Sequence, residues 1–205
     1  MKMERNKKVY EDINVQGRTE FDMEQSTQQE ESSMNYETDY DIYSIDVSKN
    51  FESQFEIVAA ISSLTESTNN VLEVVDINLE TNSITRSDLI SIEYPASKIM
   101  WSPMNNQGQD KQLIAVASDK LRLYDYSKSG IGIRKELKNT LLKDLSAPLT
   151  SFDWSAEKNY ICCSSIDTTC SIFDINQEKF FKQLIAHDKE VACQCIRVLI
   201  KRPLM

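Results

Sequence analysis

The sequence predicts an all-β protein built from a repeated unit of four strands and preceded by an acidic tail. Short runs of β-type residues alternate with turn residues from about Ile42 onward. Three of these runs end in a hydrophobic–Asp–hydrophobic triplet, at a fixed spacing of 49 residues. No long segment keeps the apolar spacing of an amphipathic helix, although 134–145 is the best helical alternative.

The N-terminal 41 residues differ in composition from the rest of the chain. They carry 11 acidic and 5 basic side chains, and eight acids with no base fall between Thr19 and Asp41. Such a stretch buries too little apolar surface to offset the entropy of ordering the chain. We therefore expect a disordered acidic tail over 1–41, acting either as a solvated extension or as an acidic interaction arm.

The predicted strands fall into three cycles, which lie within 42–191. They are placed near 42–48, 55–62, 70–77 and 83–92, then 97–102, 112–117, 120–126 and 133–142, and finally 149–154, 159–165, 169–175 and 179–186. The second strand of each cycle is a continuous apolar run, as in Leu113–Ala117, which indicates burial on both faces. The third strand of each cycle ends in the hydrophobic–Asp–hydrophobic triplet centred on Asp76, Asp125 or Asp174. Four strands per period predict the blades of a β-propeller, in which neighbouring blades cover both faces of each sheet.

Composition excludes several classes of function. The single histidine, His187, leaves no Ser-His-Asp triad and no multi-histidine metal site within the chain. The four glycines form neither of the usual phosphate-binding loops. Cys193 and Cys195 lie near His187, but their C-x-C spacing is not that of a zinc site. We therefore predict no enzyme activity, no catalytic or cofactor-binding residues, no metal and no cofactor.

Charge and cysteine content restrict the partners and the compartment. With 32 acidic and 23 basic side chains, the net charge is −9, which disfavours direct binding to nucleic acid. A membrane-spanning helix needs about 20 apolar residues, whereas the longest clean apolar runs here, such as Ile57–Ile61, have five. The charged start lacks a secretory signal. Five cysteines, odd in number and clustered late, are typical of reduced thiols, so we expect a cytoplasmic or nuclear protein.

Four strings of residues carry a family resemblance. They are YPASKIMW at 94–101, APLTSFDW at 147–154, SSIDTTC at 164–170 and AHDKEV at 186–191. Together with the hydrophobic–Asp triplets, they resemble one family of WD-repeat proteins. This family contains the plant regulator transparent testa glabra and animal adaptors that hold dual-specificity tyrosine-regulated kinases and associate with cullin-4 ubiquitin ligases. The resemblance covers about 42–191.

The resemblance implies a non-enzymatic scaffold whose partners are other proteins, such as a kinase or transcription regulators. It also implies structural roles for the repeat-signature residues, which are Asp76, Asp125, Asp167, Phe173, Asp174 and His187. Phe173 stands where the signature has tryptophan, and we expect Asp167 to order its own turn. Trp101 and Trp154 end the innermost strands of their blades. Core packing and exposure at a partner surface are the two alternatives for these indoles.

The chain also departs from the family pattern. Family members have seven blades, whereas this chain accounts for three blades and the first strand of a fourth. The pattern breaks after Val191, so 192–205 is predicted to be an aberrant or divergent tail. The Trp-Asp-x-Arg box that reaches the cullin-4 adaptor is missing at 124–127 and 173–176, so the repeats do not support that association. The alternative function is therefore that of a truncated product without independent activity, and an enzyme of unknown class is a distant third.

An open stack of three blades has an energetic cost. If each terminal face exposes about 400 Å² of apolar surface, at about 25 cal/mol per Å² the loss is on the order of 10 kcal/mol per face. A whole domain is stable by only about 5–15 kcal/mol. We therefore expect the chain to be insoluble or to be completed by another chain.

Overall fold

The computed structural model describes residues 33–49, 54–103, 111–141, 147–155 and 159–185. Within these ranges the chain contains strands and turns but no helix, and twelve strands form three four-stranded sheets. The predicted all-β fold with three four-stranded units is confirmed. The prediction of a first strand of a fourth blade, and of a divergent tail over 192–205, lies outside the described residues.

Each sheet is one blade, and its strands lie side by side in chain order. Blade 1 consists of β1 (Ile42–Val47), β2 (Glu56–Ser63), β3 (Asn70–Asn78) and β4 (Ser83–Ile92). Blade 2 consists of β5 (Lys98–Trp101), β6 (Gln112–Ala117), β7 (Leu121–Ser127) and β8 (Gly130–Leu137). Blade 3 consists of β9 (Leu149–Trp154), β10 (Tyr160–Ser165), β11 (Thr169–Asp174) and β12 (Lys179–Ile185). All neighbouring strands within a blade are antiparallel, so each blade is a simple meander.

The second strand of each blade is the most deeply buried. In β6, every residue from Leu113 to Ala117 is buried. Leu113, Ala115 and Ala117 belong to the core shared with blade 3. Ile114 and Val116 belong to the core shared with blade 1. Because alternate side chains of a strand point to opposite faces, the continuous apolar run fills two cores at once, which confirms the burial predicted for this strand.

Apolar side chains fill both junctions between blades. The junction of blades 1 and 2 contains Leu72, Val74, Ile99 and Trp101. The junction of blades 2 and 3 contains a larger set built around Phe152, a side chain with no exposed surface. The three blades are therefore held together by burial of apolar surface, which stabilises by about 25 cal/mol per Å².

The helical alternative for 134–145 is wrong over the residues described. Residues 130–137 form β8, which pairs with β7 from Ser127↔Gly130 to Leu121↔Leu137. The leucines of this segment have helical spacing. Pairing with β7 nevertheless satisfies the backbone hydrogen bonds and buries Leu137, so tertiary context overrides the local preference.

Each outer strand carries a β-bulge at the same place. The register shifts opposite Val74/Val75 in blade 1, opposite Leu123/Tyr124 in blade 2 and opposite Ile172/Phe173 in blade 3. The shifts leave one residue of each outer strand outside the register, and these bulge residues are Ser87, Arg134 and Phe181. A bulge re-aims a side chain, so these three structurally equivalent positions can serve different purposes.

The compact unit begins earlier than the sequence indicates. Residues 34–41, which the sequence analysis places in the acidic tail, belong to the same compact unit as the blades, which begins at Met34. For 1–32 the disordered tail stays a prediction, since these residues lie outside the described ranges.

Candidate interaction surfaces

The three signature aspartates end equivalent strands but have different partners. In blade 3, Asp174 is buried and its Oδ1 accepts a hydrogen bond from the Gln177 backbone N–H at 2.9 Å. In blade 2, Asp125 Oδ1 lies 3.4 Å from Arg134 Nη1. In blade 1, Asp76 is exposed, and its Oδ1 lies 3.4 Å from the Tyr126 hydroxyl of the next blade. The signature aspartate thus accepts a hydrogen bond from a turn in blade 3, contacts an arginine in blade 2 and contacts the neighbouring blade in blade 1.

Asp167 lies in the turn between β10 and β11. Its Oδ1 accepts hydrogen bonds from the Thr169 backbone N–H at 3.0 Å and from the Thr169 hydroxyl at 2.7 Å. Between them, Thr168 adopts the left-handed conformation with a φ of 71°. The carboxylate therefore ties down a tight turn whose backbone is otherwise unfavourable for a β-branched residue.

Phe173 lies in the core between blades 2 and 3. It is 2% exposed and packs edge-to-face on Phe180, with ring centroids 6.0 Å apart. A phenyl ring has no N–H donor, so this signature position contributes packing alone. His187 lies outside the described residues, and its assignment as the residue that opens a blade stays a prediction.

Both tryptophans are buried. Trp101 is 2% exposed, and its backbone N–H donates to Asp46 Oδ2 at 2.7 Å while its Nε1 donates to the Asp46 carbonyl at 3.1 Å. Trp154 is 6% exposed, and its Nε1 has no hydrogen-bond acceptor in the part of the chain that the structure describes. The alternative that these two indoles form a partner surface is therefore not supported by their burial, since a partner would reach neither without displacing core residues.

A short extended segment before β1 covers the outer part of blade 1. In residues 34–40, here called the strap, Met34, Tyr36, Thr38 and Tyr40 are half-buried and the residues between them are exposed. Tyr36 and Tyr40 pack against a small core of blade 1 built from Ala59, Ile61 and Val75. One terminal face of the stack is therefore partly covered by the chain's own residues, a contact that the sequence does not predict.

The strap is anchored on a buried carboxylate. Glu73 lies in the middle of β3 with a fully buried side chain. The hydroxyls of Tyr36 and Tyr40 donate to its two oxygens, and Arg86 Nε donates to its Oε1 at 3.0 Å. A buried charge is tolerated only when it is paired and hydrogen-bonded. The strap thus supplies two of the three donors that keep Glu73 inside the blade.

The electrostatics of this cluster follow from its donors. Burial acts to raise the pKa of Glu73, but the hydrogen bonds from Tyr36, Tyr40 and Arg86 outweigh it and hold that pKa below its ordinary value. Burial, together with the hydrogen bond to Glu73, raises the pKa of both tyrosine hydroxyls. At neutral pH the cluster therefore holds one carboxylate, one guanidinium and two neutral phenols.

An apolar stripe stays exposed on β1. Tyr43, Ile45 and Val47 are 52%, 60% and 40% exposed. The intervening Ser44 and Asp46 accept hydrogen bonds from backbone N–H groups of β5, so the stripe faces away from blade 2. We call these three residues the β1 stripe. They lie on the same face of blade 1 as the strap, which covers β2 and β3 but leaves the stripe exposed.

Blades 2 and 3 are also linked by an ion bridge. Arg134, the bulge residue of β8, reaches across the junction so that its Nε lies 2.6 Å from Glu178 Oε1, while its Nη1 contacts Asp125. Its guanidinium therefore connects the signature aspartate of its own blade to the β11–β12 turn of the next.

The described ranges contain no group of three or more His, Cys, Asp or Glu placed to hold a metal ion. In the described part of the chain, Cys162, Cys163 and Cys170 are buried and are not joined in a disulfide. The described part of the chain also has no helix with the length and hydropathy of a membrane span.

Comparison with known proteins supports the repeat assignment. No protein-family model matches the chain. A Dictyostelium discoideum protein named DDB1- and CUL4-associated factor 7 homolog is 35% identical over 158 residues, covering 76% of this chain and 48% of the relative. An uncharacterized WD repeat-containing protein of Schizosaccharomyces pombe is 37% identical over 145 residues, covering 64% of this chain and 33% of the relative. A WD repeat-containing protein of Saccharomyces cerevisiae is 32% identical over 178 residues, covering 76% of this chain and 32% of the relative.

A solved structure agrees on the fold. The β-propeller domain of Cps50 (Swd1) from Myceliophteria thermophila superposes with a TM-score of 0.52 at 13% identity, covering 74% of this chain and 44% of that one. The chain spans about half the length of the Dictyostelium relative and about a third of the two yeast relatives. The 49-residue period, the three four-stranded blades and these relatives together place the chain among the WD-repeat proteins, as part of a β-propeller.

Proposed function

We propose that this chain is a non-enzymatic scaffold that holds other proteins together through the surfaces of its propeller blades. The single observation that carries the proposal is the β1 stripe, three apolar side chains exposed side by side on a strand fixed by hydrogen bonds to blade 2. Exposed apolar patches on rigid elements mark protein-interaction sites. The WD-repeat relatives support the same class of function.

The finer proposal is that a protein kinase or transcription regulators are among the partners. It rests on the sequence resemblance of 42–191. The odd number of cysteines, all in the last part of the chain, supports a cytoplasmic or nuclear setting, because disulfides are rare there.

Association with a cullin-4 ligase is a second candidate, favoured by the name of the Dictyostelium relative. Against it, the third strands end in Tyr-Asp-Tyr-Ser at 124–127 and Phe-Asp-Ile-Asn at 173–176, without the arginine of the Trp-Asp-x-Arg box. We rank it below the kinase or transcription-regulator proposal for that reason.

Affinity capture from a native lysate, read by quantitative mass spectrometry, tests the scaffold proposal. The full chain is compared with Ile45→Lys on the β1 stripe and with Ile133→Lys on β8, a matched control at a side chain that is 62% exposed. We expect a defined set of proteins, with a kinase or a transcription regulator among them, to be retained by the control and lost with Ile45→Lys. Capture of the same proteins by both variants, or of none above background, would refute the proposal.

The alternative of a product without independent function is favoured by the exposure of the same β1 stripe. It predicts concentration-dependent aggregation and no specific capture. Sedimentation velocity and thermal unfolding distinguish the two functions. A soluble species that unfolds cooperatively, and that captures partners in the lysate experiment, would exclude the alternative.

A further inference from the structure

The junction of blades 1 and 2 contains an open cleft with a volume of about 410 Å³. It is lined by the start of β2, the end of β3, the start of β4 and the end of β7. Pockets for small ligands typically have volumes of about 300–1,000 Å³. The cleft is therefore large enough for one long side chain of a partner.

The lining of the cleft is polar and carries more negative than positive charge. Its lining includes two exposed acidic residues, Glu56 and Asp76, and one basic residue, Lys128. Beside them, the hydroxyls of Ser87 and Tyr126 lie 2.7 Å apart, and the Tyr126 hydroxyl lies 3.4 Å from Asp76 Oδ1. A ligand that donates several hydrogen bonds and carries a positive charge matches this lining.

The junction between blades 2 and 3 shows which chemical group can bind at the position of the cleft. Asp76 and Asp125 occupy the same signature position, and Ser87 and Arg134 are both bulge residues of an outer strand. Between blades 2 and 3, the Arg134 guanidinium contacts Asp125 at 3.4 Å and Glu178 at 2.6 Å. Between blades 1 and 2, the bulge position holds the short Ser87, and the cleft lies beside it.

We propose that the cleft between blades 1 and 2 binds an arginine side chain of a partner protein, which takes the place that Arg134 fills in the next junction. The guanidinium would contact the Asp76 carboxylate and the hydroxyls beside it. Guanidinium is planar and offers five N–H donors, a geometry suited to carboxylates. This inference deepens the proposed function, because it names the chemistry of one partner contact on the scaffold.

Binding of a short peptide tests the site directly. The probe is an acetylated, amidated pentapeptide with arginine at its centre and glycine elsewhere, titrated into the full chain by isothermal calorimetry. The matched control peptide carries citrulline, which has nearly the same shape without the charge. We expect the arginine peptide to bind at least about tenfold more tightly than the citrulline peptide.

Three variants locate the binding. Asp76→Asn should weaken the arginine peptide by about tenfold, and Ser87→Arg should abolish its binding because the new side chain fills the cleft from within. Lys128→Gln removes a like charge and should tighten binding. Asp125→Asn, at the same position in blade 2, is the control and should leave the affinity unchanged. The melting temperature of each variant verifies that it is folded.

Equal affinity for arginine and citrulline peptides, no detectable binding, or binding that survives both Asp76→Asn and Ser87→Arg would overturn the proposal. Its failure can be separated from that of the scaffold function. Partner capture that depends on Ile45 but not on the peptide or on Asp76 would reject the cleft alone. Peptide binding without any partner capture would reject the scaffold proposal alone.

Discussion

Removing one hydroxyl of the strap, in Tyr40→Phe, should destabilise the protein by about 2 kcal/mol. The hydroxyl donates to Glu73, whose side chain is fully buried in β3. A hydrogen bond to a charged group contributes about 1.5–3 kcal/mol, and the substitution leaves one oxygen of the buried carboxylate without this donor. At about 2–4 °C per kcal/mol for a domain of this size, the melting temperature should fall by about 4–8 °C.

Thermal unfolding followed by near-ultraviolet circular dichroism measures this effect. Tyr43→Phe is the matched control, because the Tyr43 side chain is 52% exposed on the neighbouring strand. A substitution at such a surface should change the free energy of unfolding by no more than about 0.5 kcal/mol. Equal melting temperatures for Tyr40→Phe and Tyr43→Phe would contradict the assignment of the strap as an anchored part of blade 1.

A thermodynamic cycle tests whether the tyrosine hydroxyls act through the buried carboxylate. One side of the cycle is Glu73→Met, and the other is the pair Tyr36→Phe and Tyr40→Phe. Glu73→Met in the native chain leaves two tyrosine hydroxyls without their acceptor and should destabilise. In the background of Tyr36→Phe and Tyr40→Phe, the same change removes a poorly paired buried charge and should restore stability. Additive effects of the three substitutions would show that the groups do not interact and would refute the reasoning.

The sign of the pH dependence follows from the same cluster. Burial opposes the charge of Glu73, but its three donors hold its pKa in the folded state below the ordinary value. Its contribution to stability is therefore present above the unfolded-state pKa, about 4.3, and is lost as the pH falls through the folded-state pKa. Burial and Glu73 raise the folded-state pKa of Tyr36 and Tyr40, so their contribution is present below about pH 10 and is lost at higher pH. In the triple variant Tyr36→Phe, Tyr40→Phe, Glu73→Met, the free energy of unfolding should depend less steeply on pH in both the acidic and the alkaline range.

Three further substitutions test the packing of the blades, each by urea denaturation. Gly130→Ala should destabilise by more than about 1 kcal/mol, because Gly130 has a φ of 121° and an added Cβ would lie 2.5 Å from Asp88 Oδ2. Gly132→Ala, where an added Cβ meets no atom within 4 Å, is its control and should be nearly neutral. Trp101→Phe removes the 3.1 Å hydrogen bond from Nε1 to the β1 backbone and should cost about 1 kcal/mol. Phe152→Ala empties a fully buried site and should cost about 3–5 kcal/mol. If Trp101→Phe and Phe152→Ala left the free energy of unfolding unchanged, packing at the two blade junctions would not stabilise the fold as described.

Much of the fold could be predicted from the sequence because its repeat signal is strong. The run Leu113–Ala117 has no polar side chain, and a strand with two apolar faces requires a neighbour on each side, which the structure supplies. Segment 134–145 could not be settled locally. Its leucines fit a helix, and only pairing with β7 decides that Arg134–Leu137 are extended.

The sequence does not predict the strap, because the acidic composition of this stretch indicates disorder more strongly than its alternating pattern indicates a strand. Eight acids between Thr19 and Asp41 indicate disorder. Within that stretch, however, Met34, Tyr36, Thr38 and Tyr40 alternate with exposed residues, and this period of two is the signature of a strand-like segment with one buried face. Their anchor, Glu73, is 33 residues beyond Tyr40, a distance over which the sequence gives no signal of contact.

The interblade cleft could not be found by spacing, because the blades differ in the length of one turn. The β3–β4 turn has four residues between Asn78 and Ser83, whereas the β7–β8 turn has two between Ser127 and Gly130. A fixed 49-residue period therefore aligns Arg134 with Thr85, while the strand register aligns it with Ser87.

Structural equivalence within the repeat separates residues that build the blades from residues that give a blade its own chemistry. Positions that hold the same type of residue in all three blades, such as the apolar residues of the second strands, are those that pack against the neighbouring blades. The three bulge residues meet no such common need, since one is a serine, one an arginine and one a half-exposed phenylalanine. Arg134 is used within the chain, to bridge blades 2 and 3. Ser87 leaves the corresponding volume free next to an exposed aspartate, so the arginine contact proposed for this scaffold should be sought at the junction of blades 1 and 2.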